Sequence, residues 1–189
     1  GGGPEAGPGG GLERPPAGPG GGLSPAEPRP DRFAARILRA DPIGEGLLEI
    51  EFALDRPMRH AAGQFGLFYF PGIPGGRAFS FAAPPVAGGS DRVLLVVKRK
   101  PGGPATDRLF APDAAGSEVE MFGPLGLATF DPAREGDLIC VVGGSGLSLG
   151  LSIMGAAALA GHFTRHRGLL VIGMRRAADL ASLAPLAAM

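Results

Sequence analysis

Cysteine is almost missing from this sequence, and so is any imbalance of charge. Cys140 is the only cysteine of 189 residues. An internal disulfide is therefore excluded, and a four-cysteine iron–sulfur or zinc site cannot be built from this chain alone. The 18 basic and 18 acidic residues cancel, with no block of like charge. A nucleic-acid or membrane-surface role would leave an electropositive stripe, and there is none. Long apolar runs are lacking too. The longest, "LSLGLSIMGAAALA" at 147–160, carries two glycines and two serines and falls short of the ~20 residues of a membrane helix. No basic start leads into an apolar core and small-residue cleavage site, so no secretory signal is expected. A reducing, cytoplasmic setting fits these absences.

What is abundant is glycine and proline, concentrated at the start. Nineteen of the first thirty residues are Gly or Pro, and nothing periodic there offsets the entropy of ordering. Residues 1–30 read as a flexible lead-in or the remnant of a linker. The 44% apolar content is enough for a core in the remainder.

From Phe33 onward short strands follow one another. They are 33–40, 46–54, 64–70, 77–82, 92–99 and 117–122, separated by clusters such as "DPIGEG", "PGIPGG" and "PPVAGGSD". Even spacing with such turns predicts an antiparallel sandwich or barrel over 31–132, interrupted by one short helix at 106–111. After "DPAREGD" the pattern changes. "LICVV" (138–142) is apolar throughout, which suits a strand buried on both faces of a parallel sheet. A glycine turn, a helix over 149–160 and a second apolar strand, 168–173, complete one βαβ unit. Residues 133–189 thus read as the beginning of an α/β domain that stops before its remaining strands.

Three segments carry chemistry. "VVGGSGLS" places Gly143, Gly144, Ser145 and Gly146 between a buried strand and a helix. Glycines there let the backbone approach a phosphate, and free N–H groups at the helix start attract negative charge. The alternative is a tight turn without a ligand. The run departs from G-x-G-x-x-G, and no acidic residue ends the second strand to hold a ribose. Instead Arg175 and Arg176 follow that strand, placed for adenosine phosphate or for a solvated helix start.

"RAFSFAAP" is the second segment, with Arg77, Ala78, Phe79 and Ser80 in sequence. A flavin would want all three functional types: an aromatic plate from Phe79, a guanidinium fork from Arg77, and a Ser80 hydroxyl that both donates and accepts at N5. Arg77 and Phe79 share one strand face while Ser80 points to the other, so a strand end or bulge is required. The alternative is an edge strand with an exposed arginine. The third segment is "VVKRKPGGPATDRLF". Gly102 and Gly103 precede Thr106, expected to open the short helix as its cap over a pyrophosphate; Lys98 either adds charge there or is a surface lysine.

The order GQF (63–65), RAFS (77–80), VK with GGPAT (97–106), GPLG (123–126) and VVGGSG (141–146) resembles the ferredoxin–NADP reductase superfamily. In particular it resembles the reductase components of bacterial ring-hydroxylating and related oxygenases. The resemblance implies a Greek-key β-barrel that binds FAD, then an α/β domain that binds NADH or NADPH. It implies an FAD-dependent NAD(P)H oxidoreductase passing electrons to an iron–sulfur protein or oxygenase component, with a flavin-binding module without turnover as the alternative. Carried over by position, Arg77, Ala78, Phe79, Val97, Lys98, Gly103 and Thr106 would hold FAD. Ser80 would approach N5, and Gly143, Gly144, Ser145, Gly146 and Arg175 would meet the nicotinamide nucleotide, with Asp179 in the same stretch as Arg175. Phe79 replaces the more usual tyrosine, and Leu149 stands where proline is common.

The remaining candidates carry little. His162 and His166, four apart, make a poor zinc site without a third ligand, so a polar helix end is expected. His60 precedes a turn. Cys140 reads as a small buried hydrophobe.

Overall fold

The computed structural model describes residues 28–174. Six antiparallel strands come first: β1 (Asp31–Gly44), β2 (Leu47–Met58), β3 (Phe65–Tyr69), β4 (Arg77–Ser80), β5 (Ser90–Lys98) and β6 (Glu118–Leu125). Their spatial order is β4-β3-β6-β1-β2-β5. The two edges meet where the Ala82 N–H bonds to the Leu94 carbonyl at 2.7 Å, which closes the sheet into a Greek-key barrel. Alternation drives this. Phe33, Ala35 and Ile37 on β1 face inward, as do Leu48, Ile50, Phe52 and Leu54 on β2, as a pleated strand with one wet face requires.

Phenylalanine dominates the centre. Phe52 and Phe68 meet at 5.0 Å between ring centroids, and both are fully buried with Phe81, Leu95 and Met121. Each such ring contributes roughly 1.5–3 kcal/mol by leaving water. Helix α1 (Pro104–Leu109) plugs one end of the barrel with Ala105 and Leu109. It starts two residues before the predicted position because Pro104 suits a first turn, where its missing N–H costs nothing.

The second unit is a parallel pair, β7 (Leu138–Gly143) and β8 (Gly168–Gly173), in register from Leu138 opposite Gly168 to Gly143 opposite Gly173. Helix α2 (Leu147–Leu159) is the crossover between them. The predicted burial of β7 on both faces does not hold among the described residues. Ile139 and Val141 are 65% and 75% exposed, and Leu169 and Val171 on β8 are open on the same side. The reason is geometric: α2 covers one face of the pair, so alternate side chains are left outside. Cys140 points to the covered face and is buried, and burial pushes its thiol pKa up.

The histidines also differ from expectation. The helix stops at Leu159, and Gly161 takes a φ of +69° to reverse the chain. His162 is then buried rather than solvated, its Nε2 3.0 Å from the Gly136 carbonyl. His166 Nε2 lies 2.7 Å from Glu135 Oε2. No group of three metal-binding side chains occurs among the described residues.

His60 follows β2 and is packed edge-on against Phe81 at 5.0 Å. Burial pushes its pKa below the ordinary value of 6.5. The unfolded chain therefore binds a proton more readily than the folded one, and stability falls as pH drops through about 6.5. His60→Asn should flatten that acid-side fall. Denaturation midpoints at pH 7.5 and 5.5 check it, and equal slopes in both proteins would refute it.

Candidate functional site

The glycine turn is built as a short 3-10 turn, Gly144–Gly146, between β7 and α2. Gly143 is still extended. Gly144 takes a φ of +54°, the left-handed region that favours glycine. A Cβ placed on Gly144 would meet only the Lys98 side chain, at 4.0 Å from Cδ. The turn therefore faces the end of β5, and between them lies a cleft of about 650 Å³. Lys98, Arg99, Lys100 and Pro101 line one wall, and Gly143, Gly144, Gly173 and Met174 the other. That lining holds three cations and no carboxylate. Arg99 is gripped by Asp107, with Nε and Nη2 each 3.2 Å from Oδ1.

The loop after β5 is held from within. The Thr106 hydroxyl accepts from the Lys100 N–H at 3.2 Å and reaches the Lys100 and Gly103 carbonyls at 3.0 and 2.9 Å. Thr106 is not the cap of α1, as the sequence suggested. Gly103 is the N-cap, without a side-chain bond, and Thr106 sits inside the first turn, tying the loop to it. Gly103 has no room for a Cβ, which would fall 2.9 Å from both the Lys100 carbonyl oxygen and the Thr106 hydroxyl. Val97 turns its side chain into the barrel core, leaving only its backbone for a ligand.

The β4 residues sit apart from this cleft. The Arg77 guanidinium lies on its own loop, donating to the carbonyls of Pro74, Gly75 and Gly76 at 3.1, 3.1 and 3.3 Å. Tyr69 packs over Gly76, where a Cβ would come 2.9 Å from the ring. Phe79 is half-buried and meets Phe68 edge-on at 5.7 Å, while Ala78 is exposed. Ser80 pairs opposite Phe65 and is the last residue of β4. Arg77, Phe79 and Ser80 therefore do lie at a strand end, and two residues later the chain crosses to β5 through the Ala82–Leu94 bond.

The structure thus brings Lys98 together with Gly143 and Gly144, and Gly103 with Thr106. It leaves Arg77, Phe79 and Ser80 on the adjoining strand. Arg175 and Asp179 lie outside the described residues. Arg99, Lys100 and Met174 were not singled out by sequence reasoning. For the first two the signal was the basic run "KRK" at a strand end.

An order of strands with a closing bond, a plugging helix and a glycine turn facing a basic strand end can be compared with known proteins. No family model matches the chain. It is 43% identical over 99 residues to the reductase component DmpP of phenol 2-monooxygenase from Pseudomonas sp. strain CF600, covering 52% of this chain and 28% of that protein. The solved cytochrome P450 reductase GcoB of Amycolatopsis superposes with a TM-score of 0.74 at 32% identity, over 86% of this chain and 50% of that one. The chain has the fold of the ferredoxin–NADP reductase superfamily, and its sequence is similar to reductase components of bacterial oxygenases. The superfamily fold is also seen in a ferredoxin NADP⁺ reductase from Neisseria gonorrhoeae with bound FAD and NADP, at a TM-score of 0.70 and 22% identity, over 83% of this chain and 63% of that one. The chain spans half or less of the length of the first two. Among its described residues no helix is long and apolar enough to cross a membrane.

Proposed function

We propose that this chain is the flavin-binding part, and the start of the nucleotide-binding part, of an FAD-dependent NAD(P)H oxidoreductase. Its electrons go to an iron–sulfur protein or an oxygenase component. The single observation that carries this is the cleft where a left-handed glycine turn faces Lys98, Arg99 and Lys100. Cations and close backbone approach are what a dinucleotide's phosphates need. FAD, when bound, supplies hydride acceptance from NAD(P)H and one-electron release.

The protein's part is to bind and orient. Phe79 offers an aromatic plate, and the Ser80 hydroxyl can donate or accept one hydrogen bond without moving. Lys98, with the Gly103–Thr106 loop, holds negative charge at the barrel side, and Gly143–Gly146 receives the nicotinamide nucleotide. Holding the two ligands in contact supplies the rate, since it removes the entropy cost of encounter. No acid–base pair is required. A reducing cytoplasm suits this role and keeps Cys140 a thiol.

The test is direct. Purified protein should take up FAD, turn yellow, and bleach without air when NADH or NADPH is added. A yellow protein indifferent to both nucleotides would leave a flavin-binding module. A protein that takes up no FAD would overturn both readings.

A further inference from the structure

Helix α2 is apolar on nearly every side, which marks a helix buried between two partners rather than lying on a surface. One partner is its own sheet: a Cβ on Gly150 would touch Val142 and Leu170 at 3.1 Å. The other is the barrel. Ser148, Ser152 and Gly155, spaced as one helical stripe, all face it. Gly155 lies 3.2 Å from Pro84 by the same measure.

Both serines are buried, at 1% and 0% exposure, and both have partners. The Ser148 hydroxyl accepts from the Val96 N–H at 2.9 Å and meets the Val96 carbonyl at 3.0 Å. Ser152 donates to the Ala83 carbonyl at 3.1 Å. Serine inside a helix usually turns its hydroxyl back on its own preceding turn, so the outward bonds need another explanation.

That explanation lies in the edge of β5. Alternate residues of an antiparallel strand turn their N–H and C=O to one neighbour and then the other. On the side away from β2, Leu94 is taken by Ala82 and Val96 is taken by Ser148. A hydroxyl both donates and accepts, so Ser148 replaces a strand residue at the barrel's edge.

We propose that Ser148 is a positioning residue for nucleotide-dependent reduction. Its hydroxyl locks the helix that carries the glycine turn onto β5, and so sets the spacing between Gly144 and Lys98. The levers are short. Ser148 is four residues from Gly144, and Val96 is two from Lys98. This rests on the reductase reading above for its consequence, though not for the lock itself.

Three variants of the full chain test it: Ser148→Ala, and the pair Ser148→Thr and Ser148→Val, which share a shape and differ in the hydroxyl. Three quantities are read: amide exchange at Val96 and Gly144, FAD affinity, and anaerobic flavin reduction by NADH. Ser148→Ala and Ser148→Val should speed exchange at both amides and slow reduction by about tenfold, because small misplacements of reacting groups are costly. FAD affinity should hold, and Ser148→Thr should restore exchange and reduction together. Unchanged exchange at Val96 in Ser148→Val would overturn the lock. Faster exchange with wild-type reduction per bound flavin would overturn the positioning role. Should the wild-type protein take up no FAD, the reductase reading fails, and exchange at Val96 and Gly144 alone decides the lock.

Discussion

Replacing Gly144 by valine should slow NAD(P)H-driven flavin reduction by about 100-fold, the scale expected when reacting groups are misplaced by about an ångström. Two effects act in one direction. At a φ of +54° a β-branched residue is a strained outlier, costing on the order of 1–3 kcal/mol. The backbone then either keeps that strain or leaves the left-handed region and carries the 3-10 turn with it. Moreover, the Cβ would sit 4.0 Å from the Lys98 Cδ, so the two methyl groups beyond it grow into the cleft. FAD uptake should survive, because the barrel is untouched. Single-turnover reduction without air, with FAD affinity measured alongside, checks this. A valine variant that bleaches at the wild-type rate would remove the glycine turn from the nucleotide site.

The largest stability effect is expected at Gly63, where alanine should cost about 3 kcal/mol through combined backbone strain and overpacking. Gly63 has a φ of +98°, and a Cβ there would fall 2.2 Å from the Ala128 carbonyl oxygen and 3.1 Å from Ile153 Cδ1. The carbonyl belongs to the stretch that leads from the barrel to β7. That stretch is pinned at the same place, with the Phe130 N–H bonded to the Ala62 carbonyl and Gln64 Nε2 donating to Gly126. It cannot retreat without losing those bonds. Domains of this size are stable by roughly 5–15 kcal/mol, so the loss would be plain in urea unfolding followed by circular dichroism. Gly72→Ala is the control. It shares a positive φ, +74°, with nothing within 4 Å. Equal losses at both positions would show that the close approach to Ala128 contributes nothing.

Much of the architecture is legible in the sequence. The alternation in "GLLEIEFAL" specifies a strand with one wet face, and Phe52 and Leu54 lie inward as that pattern requires. The glycine cluster of "VVGGSG" between two apolar elements specifies a turn, and Gly144 does take the left-handed conformation. Both are local properties: a period of two and a missing Cβ act on the chain wherever it lies.

Other features depended on parts of the chain far apart in sequence. "LICVV" looked buried on both faces, yet two of its five side chains are open, since apolar composition cannot tell which face a helix covers. Thr106 looked like a cap, yet its hydroxyl is spent on Lys100 and Gly103, because Pro104 moved the helix start. Ser148 and Ser152 looked like polar interruptions of an apolar helix and prove to bond to β5 and to the chain after β4.

The sequence by itself determined the strands, the strand–turn–helix order and the residue types available for a flavin and a nucleotide. Only the tertiary structure decided that Lys98 faces Gly144 and that Ser148 completes the edge of β5. Alternation and glycine placement are written residue by residue along the chain. A barrel's closure, and what lies across its seam, depend on register between distant strands, which no short stretch contains.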